Sequence, residues 1–192
     1  NSTFANDDAN SGLAGEPQLG DVLSNDNDPE GHTQVVTSIT NSNGTIALAG
    51  NSLTLPSGGM LIVNDDGSYT YNPYSTFVGT EVVTYIINDG NGAVDTATIY
   101  LTTFAQPTCA DAISNPFDIC EFLIAHPNSP LALADCDNAG VNNATECEEG
   151  GDPLNPNDEC ISADNPDFNL CQYVQSNVNS FLSTADCDNG GV

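Results

Sequence analysis

The sequence predicts a mostly β chain in which an antiparallel β-sandwich is followed by small disulfide-rich repeats. Residues 1–105 contain short segments rich in β-branched and aromatic residues and no cysteine, whereas all seven cysteines lie between Cys109 and Cys187. Short strands separated by turn signals are typical of a sandwich, and dense cysteines in a small polar segment are typical of a disulfide scaffold. We therefore expect a sandwich over 1–105, a first repeat over 106–158 and a truncated second repeat over 159–192.

Six segments of the first region are predicted strands: TQVVTSIT (33–40), GTIALA (44–49), MLIVN (60–64), SYTYN (68–72), EVVTYIIN (81–88) and AVDTATIYLTT (93–103). In the last of these, Ala97, Ile99 and Leu101 alternate with polar residues, so they share one face of the strand. Asp-Gly at 66–67 and Asn-Gly at 91–92 lie between predicted strands, where hairpin turns require positive φ. No helical periodicity competes with this interpretation.

The charge of the chain excludes several functions. It contains 27 acidic residues and no lysine or arginine, which gives a formal net charge of −27. Without basic side chains the protein cannot neutralise nucleic-acid phosphates or be attracted to an anionic membrane, and no apolar segment is long enough to insert into a bilayer. Packing this much negative charge into compact domains is costly unless cations bind.

The cysteine-rich region is an internal repeat. Three cysteines recur after 51 residues: Cys109 with Cys160, Cys120 with Cys171, and Cys136 with Cys187. In the first copy Ser114 is a candidate N-cap for a short helix, and Phe117, Cys120 and Ile124 are spaced to share one face of it. Pro127 is expected to end that helix.

The cysteines are expected to form disulfides. The residues involved are Cys109, Cys120, Cys136, Cys147, Cys160 and Cys171. Their gaps of ten to fifteen residues differ from the close pairs of zinc sites. Four cysteines in one repeat allow three connectivities, which sequence cannot separate; we favour pairing between neighbours, Cys109–Cys120 and Cys136–Cys147. The odd number indicates that an eighth cysteine follows Val192 in a longer parent chain.

The stretch DCDNAGVNNATE (135–146) has the ligand spacing of a calcium loop. Oxygen ligands are expected at its positions one, three, seven, nine and twelve, which are Asp135, Asp137, Val141 (through its carbonyl group), Asn143 and Glu146. Position six, where the loop turns sharply, is Gly140. The second copy offers Asp186 and Asp188. An acidic surface turn is the alternative, and Asp152 either completes the site or caps the following turn.

The first region has its own acidic loop. Asp26, Asp28 and Glu30 lie close together in GDVLSNDNDPEGH, and Asp7, Asp8, Asp89 and Asp95 are further candidates for a calcium site. The alternative is that these residues only form turns, as Asp and Asn often do. His32 and His126 belong to no recognisable catalytic arrangement, so we expect structural roles for both.

The first region also resembles a known family. ANDDA, GDVLSNDNDPEGH, DDGSYTYNP and FVGTEVVTYIINDGNGAVDTATIYL occur in the order found in the bacterial cadherin-like, immunoglobulin-like repeats of large surface adhesins. The resemblance covers about 5–103. It implies an Ig-like sandwich that serves as a stalk or adhesive module, with calcium bound where loops meet at a domain end.

The second region resembles thrombospondin type 3 calcium repeats, in the form found in secreted proteins of Bacteroidota. DCDNAGVNNATE, followed by GGDP at 150–153, carries this resemblance. Position five of each loop departs from the family, which often has aspartate there: it is Ala139 in the first copy and Gly190 in the second. Each loop therefore lacks one side-chain ligand.

Together these features predict a structural, calcium-stiffened and disulfide-stapled segment of a long extracellular adhesin or surface filament at the cell surface. Its expected partners are neighbouring repeats of the same chain, further copies in a filament, and a cell-surface glycan or protein. The alternative function is a glycan- or protein-binding module, with Tyr69, Tyr71, Tyr74 and Phe77 as an aromatic platform. No catalytic motif is present, and we expect no enzymatic activity.

Overall fold

The computed structural model describes residues 1–138 and 140–155 of the chain. The chain divides into two compact units, Asn1–Ala105 and a second unit that begins at Gln106. Within the described residues, no helix is long and apolar enough to cross a membrane.

Nine strands form the first unit, and all six predicted strands are among them with ends displaced by two residues or fewer. They are β1 (Asp8–Leu13), β2 (Gln18–Asp21), β3 (Val35–Asn41), β4 (Ile46–Leu48), β5 (Ser52–Thr54), β6 (Met60–Val63), β7 (Ser68–Asn72), β8 (Gly79–Asn88) and β9 (Val94–Phe104). One sheet has the order β1-β9-β8-β3-β4, and the other has the order β2-β7-β6-β5. The predicted β-sandwich is confirmed.

One pair of strands departs from the predicted antiparallel arrangement. Strand β1 pairs in parallel with β9 over six residues, from Asp8 opposite Ile99 to Leu13 opposite Phe104, while the other paired strands run antiparallel. Strand β1 was not predicted from the sequence because DANSGL is polar and lies at a sheet edge, where one side of a strand faces solvent. The short strands β2 and β5 were not predicted either.

The core lies between the two sheets and follows the alternation of the strands. Ala97, Ile99 and Leu101 are buried, as predicted, and pack with buried side chains of both sheets. Tyr71 and Tyr85 are the largest fully buried side chains of the sandwich. Because inward and outward residues alternate, this one apolar layer accounts for most of the stability of the unit.

The two predicted hairpin turns adopt the required backbone conformation. Gly67 has φ 87° and Gly92 has φ 103°, both in the region that favours glycine. A Cβ atom at Gly67 would also lie 2.4 Å from Oδ1 of Asp21 and 2.6 Å from Cγ of Leu23. Glycine at 67 is therefore required both for the turn and for the close approach of the segment after β2.

The described part of the second unit contains short helices around a small apolar cluster. They are α1 (Cys109–Ser114), α2 (Ile119–Ala125), a 3-10 helix (Pro130–Leu133) and α3 (Asn143–Glu149). Asp118, and not Ser114, caps α2 by accepting a hydrogen bond from the N–H group of Glu121. The predicted helical face was also wrong, because Ile119 and Leu123 are buried and Ile124 is 84% exposed. The helix ends at Ala125, two residues before Pro127, as expected.

Two disulfides lie in the described part of the second unit, and their pairing corrects the prediction. Cys109 is bonded to Cys136, and Cys120 to Cys147. Each bridge joins residues 27 positions apart, so α1 is held to the acidic loop and α2 to α3. Neighbour pairing was wrong because the fold places Cys136 beside Cys109, with Cα atoms 5.1 Å apart, and Cys147 beside Cys120, with Cα atoms 5.3 Å apart.

Candidate metal-binding sites

The acidic residues predicted in the sandwich separate into two clusters at the end where β1 and β9 begin and β8 ends. Asp26 lies with Asp8 around the hydroxyl group of Tyr85. Asp28 lies instead with His32, which also faces Asp89. We call them the Tyr85 cluster (Asp8, Asp26 and Tyr85) and the His32 cluster (Asp28, Glu30, His32 and Asp89).

In the Tyr85 cluster one hydroxyl group is surrounded by acceptors. The Tyr85 oxygen lies 2.8 Å from the carbonyl oxygen of Asn6, 2.9 Å from Oδ2 of Asp8 and 3.1 Å from the carbonyl oxygen of Val22. Oδ1 of Asp26 lies 3.4 Å away and also accepts a hydrogen bond from the N–H group of Asn6 at 2.7 Å. A phenol has one proton to donate, so it cannot satisfy all of these oxygens at once.

Burial makes the ionised forms of this cluster unfavourable. Burial is the largest cause that raises the pKa of Asp8 to about 6, and the negative charge of Asp26 raises it as well. The hydrogen bond from Tyr85 lowers the pKa but does not offset these effects. Burial likewise raises the pKa of Asp26 and of Tyr85, which also faces both carboxylates. The chain has no lysine or arginine, and its N-terminal amino group faces Glu30 instead, so a proton, a histidine or a bound cation is needed to compensate this charge.

Further carboxylates fasten the N-terminal segment beside this cluster. Asp7 accepts a hydrogen bond from the N–H group of Thr98 at 2.8 Å, and Asp95 accepts one from the N–H group of Ala5 at 2.9 Å. Phe4 pairs with Asn27 through two backbone hydrogen bonds. The segment before β1, the loop after β2 and the start of β9 therefore meet at the Tyr85 cluster.

The His32 cluster combines one nitrogen with buried carboxylate oxygens. Nδ1 of His32 lies 3.4 Å from Oδ2 of Asp89 and 3.7 Å from Oδ1 of Asp28. One potential ligand atom from each of Asp28, Glu30 and His32 lies within 4.8 Å of the others. The Asp28 and Asp89 side chains are almost completely buried, whereas Glu30 is exposed.

Asp89 remains an acid of low pKa despite its burial. Burial by itself raises its pKa. The N–H groups of Asn91 and Ala93 donate hydrogen bonds to Oδ1 at 2.8 and 2.9 Å, and these bonds, together with the side chains of Asn1 and His32, hold the pKa of Asp89 below its usual range. Asp89 is therefore ionised in the neutral range, and a negative charge is kept beside His32.

In the second unit the predicted calcium loop is partly preorganised. Oδ2 of Asp135 accepts a hydrogen bond from the N–H group of Gly140 at 3.0 Å, and Oδ1 is buried without a hydrogen-bond donor among the described residues. Gly140 has φ 98°, as expected for the sharp turn. Oδ2 of Asp137 is buried as well. Val141, the expected carbonyl ligand, follows this turn.

Two other predicted ligands of this loop belong to α3. Glu146 is 1% exposed, and both of its carboxylate oxygens are shielded from solvent. Asn143 is fully buried, but its side chain already accepts a hydrogen bond from the N–H group of Cys136 and donates one to the carbonyl oxygen of Leu131. Asn143 therefore has a structural role in this fold, and Glu146 is the carboxylate that the fold places in the interior.

The structure also bears on the predicted role of Asp152 and on the predicted aromatic platform. Oδ1 of Asp152 accepts a hydrogen bond from the N–H group of Leu154 at 3.1 Å, which is the turn-capping alternative. The proposed aromatic platform was wrong for Tyr69 and Tyr71, because both are buried in the core. Four predicted site residues fall outside the described residues: Asp186, Asp188, Cys160 and Cys171.

The contacts of Tyr85 and His32 with the carboxylates of the two clusters were not predicted from the sequence. Tyr85 looked like an ordinary inward-facing strand residue, and only the fold shows that its hydroxyl group meets two carboxylates. For His32 a signal was present, since Asp28, Glu30 and His32 alternate in one tight loop. Its contact with Asp89, which is 57 positions away, could not be read from the sequence.

The profile of the bacterial cadherin-like domain matches residues 1–104. The chain belongs to this family. Domains of this family are adhesion or structural modules of extracellular or surface proteins. None of the curated proteins matches the chain significantly.

Three solved structures show weak likeness to the cadherin-like chain. One is a nucleoside hydrolase-related hypothetical protein from Saccharophagus degradans associated with carbohydrate metabolism (15% identity, TM-score 0.33), of which the chain covers 22%. Another is the endo-fucoidan hydrolase MfFcnA9 of glycoside hydrolase family 107 (16%, 0.33), of which it covers 15%. The third is a protein from Bacteroides thetaiotaomicron (8%, 0.28), of which it covers 87%. They align with 52%, 53% and 53% of this chain, respectively, and at these TM-scores they support no functional conclusion.

Proposed function

We propose that this chain is a non-catalytic, calcium-stiffened segment of a long extracellular adhesin, in which calcium binds at the Tyr85 cluster. The observation that carries the proposal is the convergence of Asp8 and Asp26 on the Tyr85 hydroxyl group. Two half-buried carboxylates with raised pKa values, in a chain without basic side chains, form an oxygen-rich site that favours a hard divalent cation.

The donor set fits calcium. Asp8 and Asp26 would hold the ion, and the carbonyl oxygens of Asn6 and Val22 lie around the same hydroxyl group. Calcium accepts six to eight oxygens in flexible geometry, so carboxylates and carbonyls from separate segments can share one ion. A bound ion would supply the positive charge that the cluster lacks.

The mechanical consequence follows from the strand order. Strands β1 and β9 are parallel neighbours, so a force that pulls the N-terminal strand against the C-terminal strand shears their hydrogen bonds together instead of opening them one by one. An ion at the start of β1 would fasten this strand to the loop after β2. Calcium at this position would therefore resist detachment of the strand on which the load acts.

The second unit supports the same role through the loop that contains Asp135. The buried carboxylate oxygens of this loop, together with the buried carboxylate of Glu146, provide a second candidate calcium site. The two disulfides stabilise a core that is small for an independent domain. In this proposal the chain transmits force between neighbouring modules, and self-assembly into a filament would use the same calcium-dependent rigidity.

Calcium titration of the full chain tests the proposal. We expect calcium to raise the melting temperature of the sandwich, because an ion that binds only the native state stabilises it. The melting temperature is measured by tyrosine fluorescence. Magnesium at equal ionic strength should have a smaller effect, since it prefers small octahedral sites. Asp26→Asn should abolish most of the response, and the exposed Asp66→Asn should not. An unchanged melting curve in calcium and chelator would refute the calcium-stiffened function.

A further inference from the structure

The His32 cluster is chemically distinct from the Tyr85 cluster because one of its donors is nitrogen. Nδ1 of His32 is buried and has no hydrogen-bond partner within normal distance, although it faces two carboxylates. Calcium in proteins is bound by oxygen, whereas imidazole favours zinc and the neighbouring transition metals. The remainder of the imidazole side chain is partly exposed, which leaves a path from solvent.

Both buried carboxylates use one oxygen for the fold and leave the other available. Oδ1 of Asp28 accepts hydrogen bonds from the N–H groups of Glu30 and His32, and Oδ1 of Asp89 accepts those of Asn91 and Ala93. Oδ2 of each carboxylate is buried without a hydrogen-bond donor. The side chains are only 2% and 0% exposed. The fold therefore holds these two oxygens rigidly in the interior without satisfying them.

The separation between His32 and Asp89 is close to the spacing of two ligands around a metal. Nδ1 of His32 lies 3.4 Å from Oδ2 of Asp89 and 3.7 Å from Oδ1 of Asp28, and both distances are longer than an ordinary charged hydrogen bond. Two ligands of a tetrahedral zinc ion, each about 2.0–2.1 Å from the metal, lie roughly 3.3 Å apart. Nδ1 of His32 and Oδ2 of Asp89 are thus already close to this spacing, and one potential ligand atom from each of Asp28, Glu30 and His32 lies within 4.8 Å of the others.

We propose that His32, Asp28 and Asp89 form a second metal site, with the exposed carboxylate of Glu30 as its outer ligand, and that this site selects zinc-class divalent cations over calcium. The ion would join the loop after β2 to the turn between β8 and β9. It would compensate two buried charges in a chain that contains no lysine or arginine. This site does not depend on calcium binding at the Tyr85 cluster.

The test is a titration of the full chain with zinc in the presence of excess calcium, followed by calorimetry and by thermal melting. Free thiols are first alkylated without reductant, because a chain with seven cysteines has at least one unpaired thiol that would itself bind zinc. Cobalt serves as the spectroscopic probe, since its visible absorption distinguishes tetrahedral from hexahydrated ions. The titrations use a slightly alkaline buffer, because protons compete with metal ions for donor groups.

Three variants make the titration specific. His32→Gln removes the nitrogen donor, His32→Asp replaces it with oxygen, and His126→Gln is the matched control in the second unit. We expect one zinc ion to bind the wild-type sandwich and raise its melting temperature, with at least about tenfold weaker binding in both His32 variants. His126→Gln should bind as the wild type does, and the calcium response of the His32→Gln variant should show that it is folded.

The alternative is a protonated His32 that forms ion pairs with the two aspartates and binds no metal. In that case zinc would bind the wild type and His32→Gln equally weakly, and cobalt would give only the hexahydrated spectrum. Either result would overturn the proposal. A normal calcium response with no zinc binding would refute only the proposed zinc site. Zinc binding without a calcium response would refute only the proposed calcium function.

Discussion

Replacement of Asp8 by Asn is expected to change stability in opposite directions with and without calcium. Asp8 is half-buried, and its carboxylate receives the hydrogen bond of Tyr85 at 2.9 Å beside the carboxylate of Asp26. Asparagine keeps the shape and an oxygen that accepts this hydrogen bond, but it removes the negative charge. It therefore relieves repulsion in the metal-free protein and removes a calcium ligand from the loaded protein.

The magnitude follows from the pKa of Asp8, which is raised from 3.8 to about 6. Between these values the native state binds more protons than the unfolded state, so the contribution of Asp8 to stability is present at low pH and is lost as the pH rises to about 6. The full difference corresponds to at most about 3 kcal/mol. Solvent screening at a half-buried site reduces this to about 1–2 kcal/mol.

The assay compares the wild type with Asp8→Asn by urea or thermal unfolding in chelator and in saturating calcium. At neutral pH in chelator the variant should be more stable by about 1–2 kcal/mol, or about 4–8 °C for each kcal/mol in a domain of this size. Its stability should also fall less steeply between about pH 4 and pH 6. In calcium the order should reverse. Asp65→Asn removes an equal charge from an exposed position and serves as the control.

Two results would refute this reasoning. If Asp8→Asn and Asp65→Asn stabilise the metal-free protein equally, the effect comes from the net charge of −27 and not from the Tyr85 cluster. If Asp8→Asn keeps its full stabilisation by calcium, the ion does not bind at Asp8.

The other predictions concern the remaining contacts of the fold. The double variant Cys109→Ser/Cys136→Ser should lower the free energy of unfolding of the second unit by up to about 3.5 kcal/mol, because the disulfide closes a loop of 27 residues in the unfolded chain. Denaturant unfolding measures this difference. Peptide mapping that finds Cys109 linked to Cys120 would contradict the pairing. Tyr85→Phe should destabilise the sandwich by about 1–3 kcal/mol, because it leaves buried oxygens without their donor; a chemical-denaturation midpoint equal to that of the wild type would show that those oxygens do not need it. Glu146→Gln should abolish the stabilisation of the second unit by calcium, measured by melting with and without chelator; a calcium response that survives the substitution would exclude Glu146 as a ligand.

The strand content of the first unit could be read from the sequence because it is encoded locally. Alternation such as that of Ala97, Ile99 and Leu101 specifies which residues face the core before any partner strand is known. Turn glycines such as Gly67 likewise show where strands reverse, since positive φ is a property of single residues. The absence of basic residues also established, from composition alone, that the acidic side chains need another source of positive charge.

Pairing between distant segments was decided only by the tertiary structure. The parallel pairing of β1 with β9 and the linkage of Cys109 to Cys136 depend on which elements pack together, and no local pattern reports this. The same is true of the two clusters: Asp26 and Asp28 are two residues apart, yet the turn between them directs one toward Tyr85 and the other toward His32. Sequence identified which oxygens were available, and packing of the chain determined which of them share a site, because donor sets form from residues that are close in space and not in sequence.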